Sequence, residues 1–406
     1  MHVELAPQFS ESEFGQEASS ILGKCVHCGF CTATCPTYQI LGDELDGPRG
    51  RIYLIKEFLE TGDCTDTTRT HLDRCLTCRA CETTCPSGVN YGRLLEISRP
   101  RIDQTVPRDR RDRFKRWLLR RLIGSRWFSM TFRIGQSLRA LMPSVVARHI
   151  PGSRPAGDRP TARAKKKVLM LEGCVQPAMA PVINAAASRV LMQMGYEVVS
   201  TPSAGCCGAI DLHLGAEAEA KDAIRRNIDA WWPQVQTGDI EAIVMTASGC
   251  GVTVRDYHQL LKDDAMYREK ARRVSELTRD LCEVIDPDRI DLSGTLEGVR
   301  VAFHSPCTLQ HGQKIIGKVE SILSACGADL VVTKEKHLCC GAGGAYSLLQ
   351  PELSEKLRRR KVENLTCDLP DFIATANIGC LTHLNSDSPT PVRHWIELID
   401  PLKLEN

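Results

Sequence analysis

The 406-residue chain is 42% hydrophobic and 25% charged with a formal net charge of +2, the balance of an ordinary soluble protein of two to three domains. Its twenty cysteines lie in a long chain whose opening "MHVELAPQFSESEFG" has no charged-then-apolar leader pattern. This argues against the disulfide framework of a small secreted domain and for metal-bound thiolates in a reducing cytoplasm; no apolar run approaches the roughly 18 residues that span a bilayer.

The first element with chemistry is "KCVHCGFCTATCP", where Cys25, Cys28, Cys31 and Cys35-Pro36 form C-x2-C-x2-C-x3-C-P. Fifty residues on, Cys75, Cys78, Cys81 and Cys85-Pro86 repeat that spacing. This is the bacterial ferredoxin run, in which the fourth thiolate of each copy reaches the other cluster. The expected ligand sets are therefore Cys25, Cys28, Cys31 and Cys85 for one [4Fe-4S] cluster, and Cys75, Cys78, Cys81 and Cys35 for the second. Structural zinc prefers two separated C-x2-C pairs. Haem c is excluded because Gly29 and Arg79 stand where C-x-x-C-H needs histidine.

Between the runs, "GPRGRIYLIKEFLETGD" places Ile52, Ile55 and Leu59 at helical spacing after a Gly-Pro start, and "TDTTRTHLDRCLTC" reads as a capped helix. Arg49 and Arg51 are read as capping or solvating the first helix's start, with hydrogen bonding near a cluster as the alternative. Residues 1–105 thus make an α-helical two-cluster ferredoxin domain.

Residues 106–166 are a basic segment and linker. From Arg108 to Arg148 there are twelve Lys/Arg, two Asp and no Glu, interleaved with Phe114, Trp117, Trp127, Phe128 and Phe132. Phe114, Leu118 and Leu122 recur every four residues between Arg116, Arg120 and Arg121. A basic amphipathic helix on an anionic membrane surface is favoured over a helix packed on the protein with a solvated arginine face; nucleic acid is not expected. "PGSRPAGDRPTARAKKK" reads as a flexible linker.

The remainder is a duplication. "VLMLEGC" ending at Cys174 answers "VAFHSPC" ending at Cys307, and Cys206, Cys207 and Gly208 answer Cys339, Cys340 and Gly341, all 133 residues apart. Cys250 answers Cys380 at 130. Strands are expected near 168–171, 197–199 and 243–246, and near 301–303, 330–332 and 372–374. Every motif cysteine then follows the carboxyl end of a strand, where open α/β sheets assemble their sites. The repeats are set at 167–293 and 294–406. Cys64, Cys282, Cys326 and Cys367 remain as ordinary buried or incidental residues.

The duplicated region resembles the cysteine-rich CCG domain of heterodisulfide reductase and related subunits. The resemblance implies two sites, Cys174, Cys206, Cys207 and Cys250, and Cys307, Cys339, Cys340 and Cys380. Where the family's motif ends in C-x-x-C, Thr253 and His383 replace the last cysteine. That leaves a cubane, another metal or a redox-active thiol pair open, with a metal centre in at least one repeat favoured. His304 and His337 are read as satisfied structural histidines, with ligation or proton transfer to quinone as alternatives.

No dinucleotide fingerprint, P-loop or nucleophile elbow is present, so flavin chemistry is expected on another chain. The module order, with "CVHCGFCTATCPTY" and "DELDGPRGRI", resembles the iron–sulfur subunits of bacterial glycolate oxidases. The fold class is then multidomain, a helical ferredoxin domain followed by two α/β CCG domains. The resemblance implies FAD-bearing flavoprotein partners that oxidise glycolate or D-lactate, quinone as acceptor, and peripheral association with the cytoplasmic face of the inner membrane. Alternatives are the same relay in an anaerobic glycerol-3-phosphate dehydrogenase or lactate-utilisation complex, a heterodisulfide-reductase-like enzyme with chemistry at the CCG centre, and an iron–sulfur sensor.

Overall fold

The first hundred residues fold as helices around the two cysteine runs, in a computed structural model that describes residues 1–123, 126–137, 155–160, 163–289 and 294–403. Helix α1 (Glu13–Gly23) starts at Ser12, whose hydroxyl accepts the Gly15 amide. Helix α2 (Pro48–Thr61) has proline in its first turn and ends at Gly62 with φ 80°. Its Ile52, Ile55, Phe58 and Leu59 meet Ala18 and Leu22 of α1 in one core. Each large side chain buried there contributes roughly 1.5–3 kcal/mol. Helix α3 (Asp66–Asp73) opens with a reciprocal cap between Thr65 and Thr68, and α4 (Tyr91–Thr105) closes the bundle with Leu94 and Leu95.

Arg51 corrects the sequence expectation. It is sealed at 1% exposure, where it bonds the His71 carbonyl at 2.7 Å and the Thr37 hydroxyl at 3.1 Å. Asp46, also buried, faces Arg51 at 3.5 Å, Arg74 at 2.8 Å and His71 at 3.0 Å. A buried carboxylate with three cationic or donor partners is satisfied, and its ties lock the loop before α2 to the entry of the second cysteine run. Arg49, by contrast, sits at the surface and pairs with Glu44 at 2.6 Å.

Helices α5 (Arg110–Ile123) and α6 (Arg126–Ser137) follow. The arginines of α5 do not form one solvated face. Arg108, just before the helix, and Arg116 both reach Asp73, and Arg120 reaches Glu219 at 3.2 Å. Phe114, Trp117 and Leu118 are instead exposed, at 61%, 45% and 38%. The side chain of Trp127 and residues 138–148 lie outside the described residues. Within the linker, Arg189 binds the carbonyls of Ala156 and Asp158, so residues 155–160 are tied to the first repeat. Among the described residues no helix is long and apolar enough to cross a membrane.

Each repeat is a four-stranded parallel sheet. The first has β1 (Lys166–Leu171), β2 (Tyr196–Ser200), β3 (Ile240–Met245) and β4 (Thr278–Asp280) in the order β2-β1-β3-β4. The second has β5 (Arg300–His304), β6 (Asp329–Leu330), β7 (Phe372–Thr375) and β8 (Val392–His394) in the order β6-β5-β7-β8. Val168 to Leu171 are all buried because helices cover both faces, as parallel sheets require. The edge strands β4 and β8 were not among the expected strands. One hydrophobic core runs through both repeats and takes in Cys282 and Cys326.

The repeats meet at the carboxyl ends of their strands. The Ser248 amide donates to Ala376 O at 3.1 Å, the Gly249 amide to Asn377 Oδ1 at 3.3 Å, and the hydroxyls of Ser248 and Thr308 bond at 2.8 Å. The edge of each sheet that carries its cysteines is therefore turned toward the other.

Candidate metal centres

None of the twenty cysteines is in a disulfide. In the ferredoxin module the runs wind alike: His27 and Gly29 have φ of 55° and 83°, and Thr77 and Arg79 have 54° and 59°. This alternation turns successive cysteines inward around one point, at a conformational cost wherever the residue is not glycine. Arg79 is held in that conformation by Glu82 at 3.0 Å and Asp256 at 3.4 Å. The Thr77 amide points at Cys75 Sγ, 3.4 Å away.

The thiols fall into two neighbourhoods. Burial pushes the Cys31 thiol up to about 11, with Cys25, Cys85 and Cys28 as the thiols acting on it. Cys81 is pushed well up, first by burial and then by Cys78, Cys75 and Cys35. Thr34 and Thr84 hydroxyls bond at 3.1 Å, joining the runs just before Cys35 and Cys85. Buried thiols crowded together cannot all ionise without cations among them, so the donor sets have the chemistry of iron–sulfur ligation.

The two CCG sets are built alike. In the first, the thiols neighbour one another in the order Cys174, Cys206, Cys207 and Cys250, each shifting the titration of the next. In the second, the sulfurs of Cys307 and Cys339 are 3.7 Å apart, and those of Cys340 and Cys380 lie within 4.8 Å of each other. The Gly208 amide approaches Cys206 Sγ at 3.5 Å, and the Gly341 amide approaches Cys339 Sγ at 3.4 Å. Cys206 is held down at about 3 by hydrogen bonds from Cys174 and Cys207, so a thiolate is available for a soft cation.

The glycines are required. Gly208 has φ +90° and Gly341 +92°, and a Cβ on Gly341 would lie 2.7 Å from the Ser354 carbonyl oxygen. Gly341→Ala should cost at least about 1–3 kcal/mol from backbone strain alone. Thermal unfolding of purified protein should start lower, and iron beyond the ferredoxin module's share should be lost. Gly208→Ala, with its nearest contact at 3.1 Å, should do less.

The sequence did not reveal that both CCG sets open onto one space. A cavity of about 1210 Å³ is lined by Cys174, Cys206, Cys207 and Cys250, by Cys307, Cys339, Cys340 and Cys380, and by Cys78 of the second ferredoxin run. Leu119, Leu122 and Ile123 of α5 and Phe128 and Phe132 of α6 form part of its wall. Cys78 also packs in a small apolar cluster with Cys307, Cys339 and Leu76. Nearby, Tyr346 donates to Arg74 O at 3.0 Å, and His311 bonds Thr83 at 2.8 Å and His337 O at 2.9 Å. The second ferredoxin run is thus docked against the second CCG site. His304 is buried beside Cys340 and Cys380, whereas His337 is half-buried. Ser354 bonds His383 at 3.2 Å. Of the residual cysteines, Cys282 and Cys326 lie in the core, Cys64 is half-buried and Cys367 is exposed.

Residues 21–89 match the family model described as a 4Fe-4S dicluster domain, and residues 168–255 and 301–385 each match the cysteine-rich domain model CCG. The chain is 49% identical over 402 residues to the glycolate oxidase iron-sulfur subunit of Escherichia coli K12, covering 98% of each chain. It is 29% identical to the probable glycolate oxidase iron-sulfur subunit of Bacillus subtilis, over 89% of this chain and 87% of that one. A lactate utilization protein A of Geobacillus thermodenitrificans is 25% identical over 58% of this chain and 98% of its own.

Proposed function

The chain belongs to the family of glycolate oxidase iron–sulfur subunits, and from that premise we propose that it carries electrons from a flavin on partner chains, which oxidise glycolate or D-lactate, toward a membrane quinone. As a member of this family it is an electron-transfer component of an oxidoreductase complex, with two [4Fe-4S] clusters in its dicluster domain. In our reading Cys25, Cys28, Cys31 and Cys85 hold the first cluster, and Cys75, Cys78, Cys81 and Cys35 hold the second. The CCG sets hold further metal centres. The observation that carries the relay is the shared cavity, where Cys78 and all eight CCG cysteines converge.

The placement of the thiols suggests an order. Cys28 is exposed in the first run, beside the exposed apolar side chains Val26, Phe30 and Tyr53. An exposed apolar patch beside a cluster suits docking of the flavoprotein subunits. Electrons would then pass to the second cluster, to the second CCG site through the Cys78–Cys307 contact, and across the cavity to the first. The iron–sulfur groups supply the one-electron chemistry. The chain's own residues bury the centres, direct amides at sulfur and hold the runs together. Helix α5, with its exposed apolar side chains, would face the cytoplasmic surface of the inner membrane.

The match across nearly the whole chain favours glycolate over lactate utilisation, whose relatives align with little more than half of it. The test is anaerobic affinity purification of the full chain from its native host, with identification of what accompanies it. Flavoprotein subunits and glycolate-dependent reduction of the iron–sulfur absorption should co-purify, with about eight irons per chain from the dicluster module and more from the CCG sites. Reduction by glycerol 3-phosphate or lactate alone would reassign the substrate.

A further inference from the structure

We infer that His304 is a ligand of the metal centre at the second CCG site, which makes the two CCG centres chemically unlike. This rests on the proposed occupancy of that site. Aligning "VLMLEGC" with "VAFHSPC" puts His304, at the carboxyl end of β5, where the first repeat has Leu171 at the end of β1. Leu171 fits an apolar setting, packed in a hydrophobic core beside Cys207. His304 does not fit as a mere substitute. It is 2% exposed, and its Nε2 is buried with no hydrogen-bond partner. Buried imidazole nitrogens are ordinarily satisfied, so an orphaned one calls for an explanation.

The explanation lies beside it. A ring nitrogen of His304 and the sulfurs of Cys340 and Cys380 all lie within 4.8 Å of one another, in a wholly buried group. Cys339, next to Cys340 in the chain, stands 3.7 Å from Cys307, which extends the donor set to one imidazole and four thiols. The second site therefore has five donors, with the fifth supplied from the strand end. His383, which occupies the place of the motif's last cysteine, is engaged by the Ser354 hydroxyl instead.

A second feature sets this site apart from the first. Ala220 and Ser354 each contact the glycine of their own CCG motif, and seven residues on in the same helices stand Asn227 and Lys361. Asn227 is neutral and bonds the local backbone at Gly205 and Cys206. Lys361 is only 3% exposed, and its Nζ donates to Glu335 O at 2.7 Å. Among the described residues no ion pair joins its ammonium to a carboxylate side chain. When protonated, this buried amine would offset the negative charge of a thiolate-rich metal centre. Imidazole in place of thiolate raises the reduction potential of an iron–sulfur centre, so a cysteine at position 304 should lower the potential of this centre.

The test uses the full chain, reconstituted anaerobically with iron and sulfide and reduced stepwise. Iron per chain is measured and nitrogen coupling is followed by pulsed EPR. Iron above about eight per chain is expected. One centre beyond the ferredoxin pair should show directly bound nitrogen, lost in both H304L and H304C. H304C, which puts a thiol in place of the imidazole, should keep its iron and lower the midpoint of that centre. Iron above about eight with no bound nitrogen at any potential, or a coupling that persists in H304L, would overturn the assignment while leaving the relay intact. Iron at about eight overturns both, because the CCG sites then hold none.

Discussion

Cys85→Ser is expected to destroy the cluster held by the first cysteine run and to leave the second in place. The iron of the dicluster module should fall from about eight to about four per chain. The basis is the neighbourhood of Cys31, whose acting thiols are Cys25, Cys85 and Cys28, whereas Cys81 answers to Cys78, Cys75 and Cys35. Serine offers a hard oxygen to a centre that prefers soft sulfur, so a labile cluster or none should remain. The complementary Cys35→Ser should strip the second cluster instead. Cys35 is buried at 6% exposure, with the Thr37 hydroxyl 3.3 Å from its sulfur. EPR of the reduced variants distinguishes the two centres. If Cys85→Ser alters only the signal of the second cluster, each run ligates its own cube and the crossing is wrong. With either cluster missing, electron transfer from flavoprotein to quinone should fall to background, because the proposed relay is a single file.

Much of this site was legible because it is written locally. The spacing of the cysteine runs is a short-range pattern, and the duplication at 133 residues displays both CCG sets without any tertiary knowledge. What escaped was decided by packing. β4 and β8 are three-residue edge strands, too short for alternation to show, although Asp280–Glu283 and His394–Glu397 repeat one capping pattern just after them. Arg51 looked like a helix-start residue, and only the fold brings Asp46, Thr37 and the His71 carbonyl around it. The arginines around α5 suggested a basic helix for a membrane surface, yet Asp73, more than thirty residues away, takes Arg116 of the helix and Arg108 just before it. The convergence of Cys78 with both CCG sets is likewise a property of how the repeats face each other, which no spacing encodes.

That reversal of α5 sharpens the remaining prediction, that exposed side chains of this helix hold the chain on an anionic membrane. Deleting the whole basic segment would be a poor test, because it would also break the Arg108 and Arg116 pairs to Asp73 and open the cavity wall at Leu119 and Ile123. The triple substitution F114S/W117S/L118S avoids both problems. These side chains are about half exposed, so each has roughly 1 kcal/mol of apolar burial left to gain at an interface. Losing all three should weaken partitioning by about 3 kcal/mol, or roughly two orders of magnitude. Arg110, Arg111, Arg113 and Arg121 are also exposed, and each adds about 1 kcal/mol near anionic lipid, a term that salt should screen. The measurement is flotation of the purified chain with vesicles of phosphatidylglycerol and phosphatidylcholine against phosphatidylcholine alone. Wild type should float with the anionic vesicles at low salt and release as salt rises, while the triple variant stays in solution with its iron content unchanged. A variant that floats as well as wild type would show that α5 only closes the cavity, and would move membrane attachment to the partner subunits.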